Sequence, residues 1–287
     1  MKNTDRRFVT RRSFLRLGGL GLAGAGGFGI AKWEAERLET TFKAIDGLGV
    51  SEKIRVLHLS DLHASACVSW ELINESIERG LAENPDLVVL TGDYVTGRGQ
   101  DLSGYRKALA PLHGHPHCFA VFGNHDGSYR VGDESLVTTR LERIFSEVGI
   151  RFLVNRSVTE EIRGTPLKIA GVGDLWRGPV FPENCLTPIR HDKGPLTLLL
   201  AHNPDTKDLL RGHHWDVMFC GHTHGGQVVV PFFNWAPHLP VQDRSMVAGI
   251  YPWDGRHIHI TRGVGNLHGI RFACRPEVSL IDLTTGD

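Results

Sequence analysis

No two cysteines in this chain stand close enough in sequence to share a metal ion or to staple a small fold. The five present, Cys67, Cys118, Cys185, Cys220 and Cys274, are widely spaced and form no C-x-x-C pair. That pattern argues against a thiolate zinc site and against a disulfide framework. The expectation is that most are buried apolar residues, with at least one thiol unpaired. An excess of charge is also missing, since Lys plus Arg and Asp plus Glu number 32 each. Without a basic surplus, nucleic acid is not expected as a partner. Repeats, heptads and low-complexity tracts are absent beyond the first residues. The longest uncharged stretch there, residues 17–31, is shorter than the roughly 20 residues that cross a bilayer comfortably. What remains is an ordinary globular composition, 41% apolar and 22% charged over 287 residues, enough for one large domain or two small ones.

Two features are present in excess. The first is the N-terminus, where Arg11-Arg12 precedes Ser13, Phe14, Leu15 and Arg16 and a glycine-rich apolar run. A basic start, a short apolar core and a polar sequel make a signal segment, and the paired arginines resemble the twin-arginine export signal. Residues 1–31 are therefore expected to be a signal or an anchor, 32–50 a linker and 51–287 the folded domain. The one A-x-A pattern, Ala23-Gly24-Ala25, lies inside the apolar run. Cleavage and retention as an anchor both stay open. The expected partner is the twin-arginine export machinery, with contact to the membrane. The expected location is outside the cytoplasm, across or anchored in a bacterial inner membrane.

The second excess is histidine, 16 in all. Several stand where apolar strands end. Residues 54–59 read IRVLHL and stop at Ser60-Asp61-Leu62-His63; residues 87–91 read LVVLT and stop at Gly92-Asp93. Between them Leu72, Ile73, Ile77 and Leu81 recur at helical spacing, and Pro85 ends the helix. Strand, helix and strand in that order predict two parallel strands, whose carboxyl ends are where open α/β sheets place ligand sites. A third run, residues 118–122, stops at Gly123-Asn124-His125-Asp126. A fourth, 196–201, stops at His202, and a fifth, 217–220, at Gly221-His222-Thr223-His224. Oxygen and imidazole donors without thiolates suit manganese, iron or zinc. Paired ions about 3.5–4 Å apart clamp the oxygens of a phosphoryl transfer.

In that order, Asp61-x-His63, Gly92-Asp93, Gly123-Asn124-His125-Asp126, His202 and Gly221-His222-x-His224 resemble the calcineurin-like metallophosphoesterases over roughly residues 54–225. The resemblance implies an α/β fold: two mixed β-sheets packed as a sandwich, flanked by helices, with a dinuclear metal site at the C-terminal ends of the strands. It implies two divalent ions, manganese first, with iron or zinc as alternatives. Asp61, His63 and His224 would hold one ion, Asn124, His202 and His222 the other, and Asp93 both. In the family a hydroxide held by the ions attacks phosphorus in line. His125 would protonate the leaving oxygen or steady the phosphoryl group, and Asp126 would orient His125.

Departures within the motifs narrow the branch. Protein Ser/Thr phosphatases carry GDxVDRG and GNHE, whereas this chain has GDYVTGRG over residues 92–99 and Asp126 in the last position. Purple acid phosphatases need a tyrosine three residues after the bridging aspartate, where Thr96 stands. The export signal and the wording HNPD and GHTHGGQ instead resemble a bacterial membrane-associated subgroup. Its members include phosphodiesterases and pyrophosphatases of UDP-2,3-diacylglucosamine. A phosphodiester, a pyrophosphate or a glycolipid is thus the expected substrate. A phosphomonoesterase and a non-catalytic metal-binding protein are the alternatives.

Other histidines have plainer readings. His113, His115 and His117 lie in a Gly/Pro turn, His213 and His214 follow a helix end, and His58 reads as a hydrogen-bonded core residue. His257 and His259 alternate with isoleucines, as on a strand with one polar face. His268 and Arg271 stand in a late loop that could border the site. Arg98 reads as a solvated loop residue or a phosphate contact. Residues 231–240, PFFNWAPHLP, read as a packing loop, a substrate rim or a membrane-facing lip. Residues 127–160 and 173–195, the latter with Trp176 and Phe181, read as loop-rich insertions that set substrate choice.

Overall fold

Alternation along each strand decides the architecture. In β2 (Ile54–Leu59), Ile54 and Val56 face one core and Leu57 and Leu59 another; β3 (Leu87–Thr91) and β4 (Cys118–Val121) alternate the same way. Both faces are apolar, so these strands need cover on both sides. The computed structural model, which describes residues 26–96, 101–128, 136–189, 194–233 and 235–286, supplies that cover with a second sheet and with helices.

The first strand is β1 (Glu39–Ile45). After β4 come β5 (Arg151–Phe152), β6 (Arg156–Ile162), β7 (Thr165–Gly171), β8 (Leu196–Leu200) and β9 (Val217–Cys220). The chain closes with β10 (Gly249–Trp253), β11 (Arg256–Ile260) and β12 (Glu277–Leu283). One sheet has the order β1-β12-β2-β3-β4-β5 and the other β10-β11-β9-β8-β7-β6. Both are mixed. Strands β2 to β5 are parallel, as are β7, β8, β9 and β11, while β12, β6 and β10 supply the antiparallel pairings. The two-sheet sandwich expected from the resemblance is the observed fold.

Between the sheets lies a layer that includes Val56, Val89, Phe119, Leu198, Phe219 and Ile281, all fully buried. Each such side chain contributes about 1.5–3 kcal/mol through burial. Helix α1 spans residues 26–34. Helices α2 (Trp70–Leu81), α3 (Gly104–Ala108) and α4 (Val137–Ser146) cover the outer face of the first sheet. The Ser69 hydroxyl caps α2 by accepting the Leu72 N–H at 3.2 Å.

Two expectations need correction. The stretch expected as a linker, 32–50, contains β1, which pairs in parallel with β12 from Glu39 to Ile45. As an edge strand with one exposed face it shows only a weak apolar pattern. The stretch 127–160 also contains α4, β5 and β6, because Leu141, Ile144 and Phe145 share one buried helical face. Most of the export-signal reading, with Arg98, falls outside the described residues. Among the described residues no helix is long and apolar enough to cross a membrane.

Candidate metal centre

Seven candidate ligands come from five strand ends: Asp61 and His63 after β2, Asp93 after β3 and Asn124 after β4, then His202 after β8 and His222 and His224 after β9. The first four belong to one sheet and the last three to the other. To turn inward at the ends of nearly straight strands, Asp61, His63, Asp93, His222 and His224 all adopt positive φ, between 45° and 68°. Non-glycine residues avoid that region, and clusters of such strain mark functional sites. Glycines clear the space around them. A Cβ on Gly123 would sit 2.2 Å from Asp93 Oδ1, and one on Gly221 2.2 Å from Asp61 Oδ2. No larger residue fits at either place.

The side chains converge as two groups. The ligating atoms of Asp61, His63 and His224 lie within 4.8 Å of one another, and so do those of Asp93, His202 and His222. Asp93 Oδ2 lies between the groups, 3.1 Å from His202 Nε2 and 3.5 Å from His63 Nε2. Its other oxygen accepts the His125 N–H at 2.8 Å. Asp61 accepts the backbone N–H of His222 and lies 3.4 Å from His224 Nε2.

Outer hydrogen bonds decide which ring nitrogen faces inward. The His202 Nδ1 donates to the Thr91 carbonyl at 2.7 Å, and the His222 Nε2 donates to the Pro240 carbonyl at 2.9 Å. A carbonyl can only accept, so His222 Nδ1 is left as a lone pair, facing His202 Nε2 at 3.2 Å, and His202 Nε2 carries a lone pair when an ion is bound and a second proton when none is. The His222 lone pair and the Asp93 oxygen thus converge on His202 Nε2 and call for positive charge there, a proton in the metal-free protein or a cation in its place. Asn124 Oδ1 adds a buried acceptor without a hydrogen-bond donor. A cation held by Asp93, His202 and His222 would supply that charge, and Asn124 lines the same cavity.

The electrostatics agree. Burial holds the His63 imidazole down to about 4 and that of His222 to about 3, so both are neutral donors near neutral pH. Burial alone would lower His202 as well. The Asp93 carboxylate beside it, with Asp61 and Asp174, overrides that effect and raises it to about 10. For Asp93 burial pushes upward, but His202 and His63 hold its carboxyl below the usual carboxylate range. Burial raises Asp61 to about 6.

His125 is half-buried, its ring edge-on to His63 with centroids 5.0 Å apart. The expected link from Asp126 to the His125 ring is not what the structure shows. The Asp126 carboxylate is buried and accepts backbone N–H bonds from Asp93, Gly123, Tyr94 and Val95 at 2.7–3.3 Å. It ties the loop after β3 to the loop after β4, and so fixes the backbone that carries Asp93 and His125. Tyr94 points away into the core, where its hydroxyl donates to the Leu90 and Val121 carbonyls.

The centre opens into a cavity of about 450 Å³. One end carries Asp93, Asn124, His125, His222 and His224; the wall beyond is apolar, with Trp176, Val228, Pro237, Leu267 and Ile270. His268 lines it. Arg271 does not, because its guanidinium is fully buried and donates to the carbonyls of His224, Arg262, Gly263 and Gly265. A separate cavity of about 310 Å³, at Gly47, Pro166, Asp216 and His257, lies at the opposite ends of the strands and gathers no such group of ligands.

One residue of the site was overlooked in the sequence. Asp174 accepts the N–H groups of Trp176 and Arg177, which turns the Trp176 ring edge-on to His222 with centroids 4.6 Å apart. Its Oδ2 is buried without a hydrogen-bond partner. The signal was present, since the apolar run of β7 also ends in Gly-Val-Gly-Asp.

Comparison with known proteins accords with this geometry. The pattern of the family described as Calcineurin-like phosphoesterase matches residues 54–226. The chain is 36% identical over 282 residues to Phosphodiesterase YaeI of Escherichia coli (strain K12), covering 96% of this chain and 99% of that one. It is 25% identical over 276 residues to UDP-2,3-diacylglucosamine pyrophosphatase LpxG of Chlamydia trachomatis, covering 79% and 83%. Strand-end ligands drawn from both sheets, two convergent groups around one carboxylate, and a match across most of the folded domain place this chain in the calcineurin-like phosphoesterase family, as a metal-dependent hydrolase.

Proposed function

We propose that the protein hydrolyses a phosphodiester or a pyrophosphate with two divalent ions. Asp61, His63 and His224 would hold one ion and Asn124, His202 and His222 the other, with Asp93 standing between the two groups. The observation that carries this reading is the position of Asp93 Oδ2 between the two groups. The donor set of carboxylate, amide and imidazole fits manganese first and iron or zinc next. When bound, the ions supply Lewis acidity that activates water and neutralises charge on the phosphoryl oxygens.

The chain's own groups do the rest. Thr91 and Pro240 lock two imidazoles in the ligating tautomer. Asp126 holds the loops that carry Asp93 and His125. His125 faces the cavity beside His63 and delivers a proton to the departing oxygen. The apolar wall beyond the centre excludes water and suits an ester with an apolar substituent. That wall, with the likeness to LpxG, supports a nucleotide-lipid such as UDP-2,3-diacylglucosamine as one substrate to test.

We further propose export by the twin-arginine route and residence at the outer side of the inner membrane, on the strength of Arg11-Arg12 and the apolar run behind them. The loop near the cavity supports contact with lipid: Phe232, Phe233 and Trp235 are exposed, as are Phe28, Ile30 and Trp33 on α1.

The reaction class is tested by comparing bis-p-nitrophenyl phosphate with p-nitrophenyl phosphate on the manganese-loaded, full-length protein. The expected result is a kcat/KM at least about 10-fold higher for the diester, a difference of about 1.4 kcal/mol in transition-state binding. A preference for the monoester would favour a phosphomonoesterase, the reading next in line.

A further inference from the structure

Between the sheets, beside a mostly aliphatic and aromatic layer and next to the buried polar group of Thr261, Glu277 and Ser279, sit two imidazoles that no step above uses. His58 on β2 and His259 on β11 are both fully buried. His259 was expected on a polar strand face. Instead β11 is an interior strand covered on both sides, with Ile258 and Ile260 facing the outer core and the His259 ring packed at the inter-sheet face near Phe219. Burying polar rings where Phe or Leu would pack is unfavourable unless the hydrogen bonds are used.

Three of the four ring nitrogens are used, and His259 Nε2 has no hydrogen-bond partner among the described residues. The Nδ1 atoms of His58 and His259 lie 2.8 Å apart, one ring donating and the other accepting, and His58 Nε2 lies 2.8 Å from Thr91 Oγ1. The Thr91 carbonyl accepts the His202 Nδ1–H at 2.7 Å and the Ser60 hydroxyl at 3.1 Å. Asp93, which stands between the two groups of candidate ligands, is two residues further on. A continuous hydrogen-bonded chain thus runs from β11 of one sheet, through β2 and the end of β3 of the other, to His202, whose own strand belongs to the sheet of β11.

We propose that His58 and His259 are positioning residues that hold the two sheets in register for metal binding. The proposal rests on the dinuclear reading above. The centre draws Asp61, His63, Asp93 and Asn124 from one sheet and His202, His222 and His224 from the other, so its geometry depends on how the sheets sit against each other. Apolar packing is non-directional and lets sheets shift by fractions of an ångström. A hydrogen-bonded chain is directional, and ligands have to be held within about 0.5 Å for a working site. Thr91 is the junction, because its side chain is fixed by His58 and its carbonyl fixes His202.

The test uses the full-length protein and Mn²⁺ alone as the probe, with calorimetric titration for ion binding and thermal unfolding of the metal-free protein for stability. Thr91→Val removes little but the hydroxyl, and His58→Phe keeps the ring volume. Each is expected to weaken the more weakly held Mn²⁺ by about 10- to 100-fold, the usual effect of losing a group that orients a ligand. Metal-free unfolding should stay within a few degrees. The double variant should bind no worse than His58→Phe alone, since both changes cut one chain. His58→Gln, which keeps a hydrogen-bonding group, should recover part of the affinity. Unchanged Mn²⁺ affinity in Thr91→Val overturns the proposal, and so does a loss confined to thermal stability, which would make the pair core residues only. Should His58→Phe fail to fold, Thr91→Val alone decides. A native protein that takes up fewer than two ions would sink the dinuclear reading first, and this proposal with it, whereas two ions bound equally well by every variant would sink the proposal alone.

Discussion

His125→Ala should lower kcat on a phosphodiester by about 10²- to 10⁴-fold, the range over which a positioned general acid acts, with the bound-metal content unchanged. The expectation follows from where the residue sits. Its backbone N–H is tied to Asp93 and its ring packs on His63, yet its side chain belongs to neither group of candidate ligands. A substrate with a good leaving group needs little protonation, so p-nitrophenyl esters should show the smaller loss and alkyl esters the larger. Single-turnover rates on both esters, at matched metal content, check this. Equal rates for the variant and the native protein on an alkyl ester would remove His125 from the chemistry.

Asp93→Ala should be the most damaging single change. The side chain faces His202 on one side and His63 on the other. Removing it takes away the one carboxylate that lies beside both groups and leaves His202 without the anion that holds its imidazole charged. The expected outcome is a loss of at least about 10³ in kcat/KM, the scale set by removing preorganised charge at a reacting centre, together with loss of at least one ion per chain. Plasma mass spectrometry of the desalted variant measures the second part. Two retained ions would show that Asp93 is not shared.

Much of this site is legible in the sequence because every candidate ligand follows an apolar run, and a run that ends in Gly-Asp or Gly-His marks a strand end at which a polar group stops being buried in a sheet. The same rule, applied without a family in mind, would have found Asp174. Three things were not legible. The edge strand β1 is half exposed, so its alternation carries little apolar signal. The work of Asp126 depends on which N–H groups the fold brings round it, and a carboxylate next to a histidine reads as its partner when its real contacts come from Asp93, Tyr94 and Val95, some thirty residues earlier. The burial of His259 depends on β11 lying inside its sheet, with β10 on one side and β9 on the other. An Arg-His-Ile-His-Ile stretch looks half solvated until its neighbours are known.

The proposed mechanism requires two ions at Asp93, and its most direct measurement is the number of Mn²⁺ ions bound per chain at equilibrium, in the native protein and in Asn124→Ala. The native protein should bind two. Asn124→Ala, which removes a buried acceptor proposed above to serve one ion only, should keep one ion at near-native affinity and lose the other. A native protein that binds a single ion at saturation, or an Asn124→Ala variant that holds both as tightly as before, would contradict it.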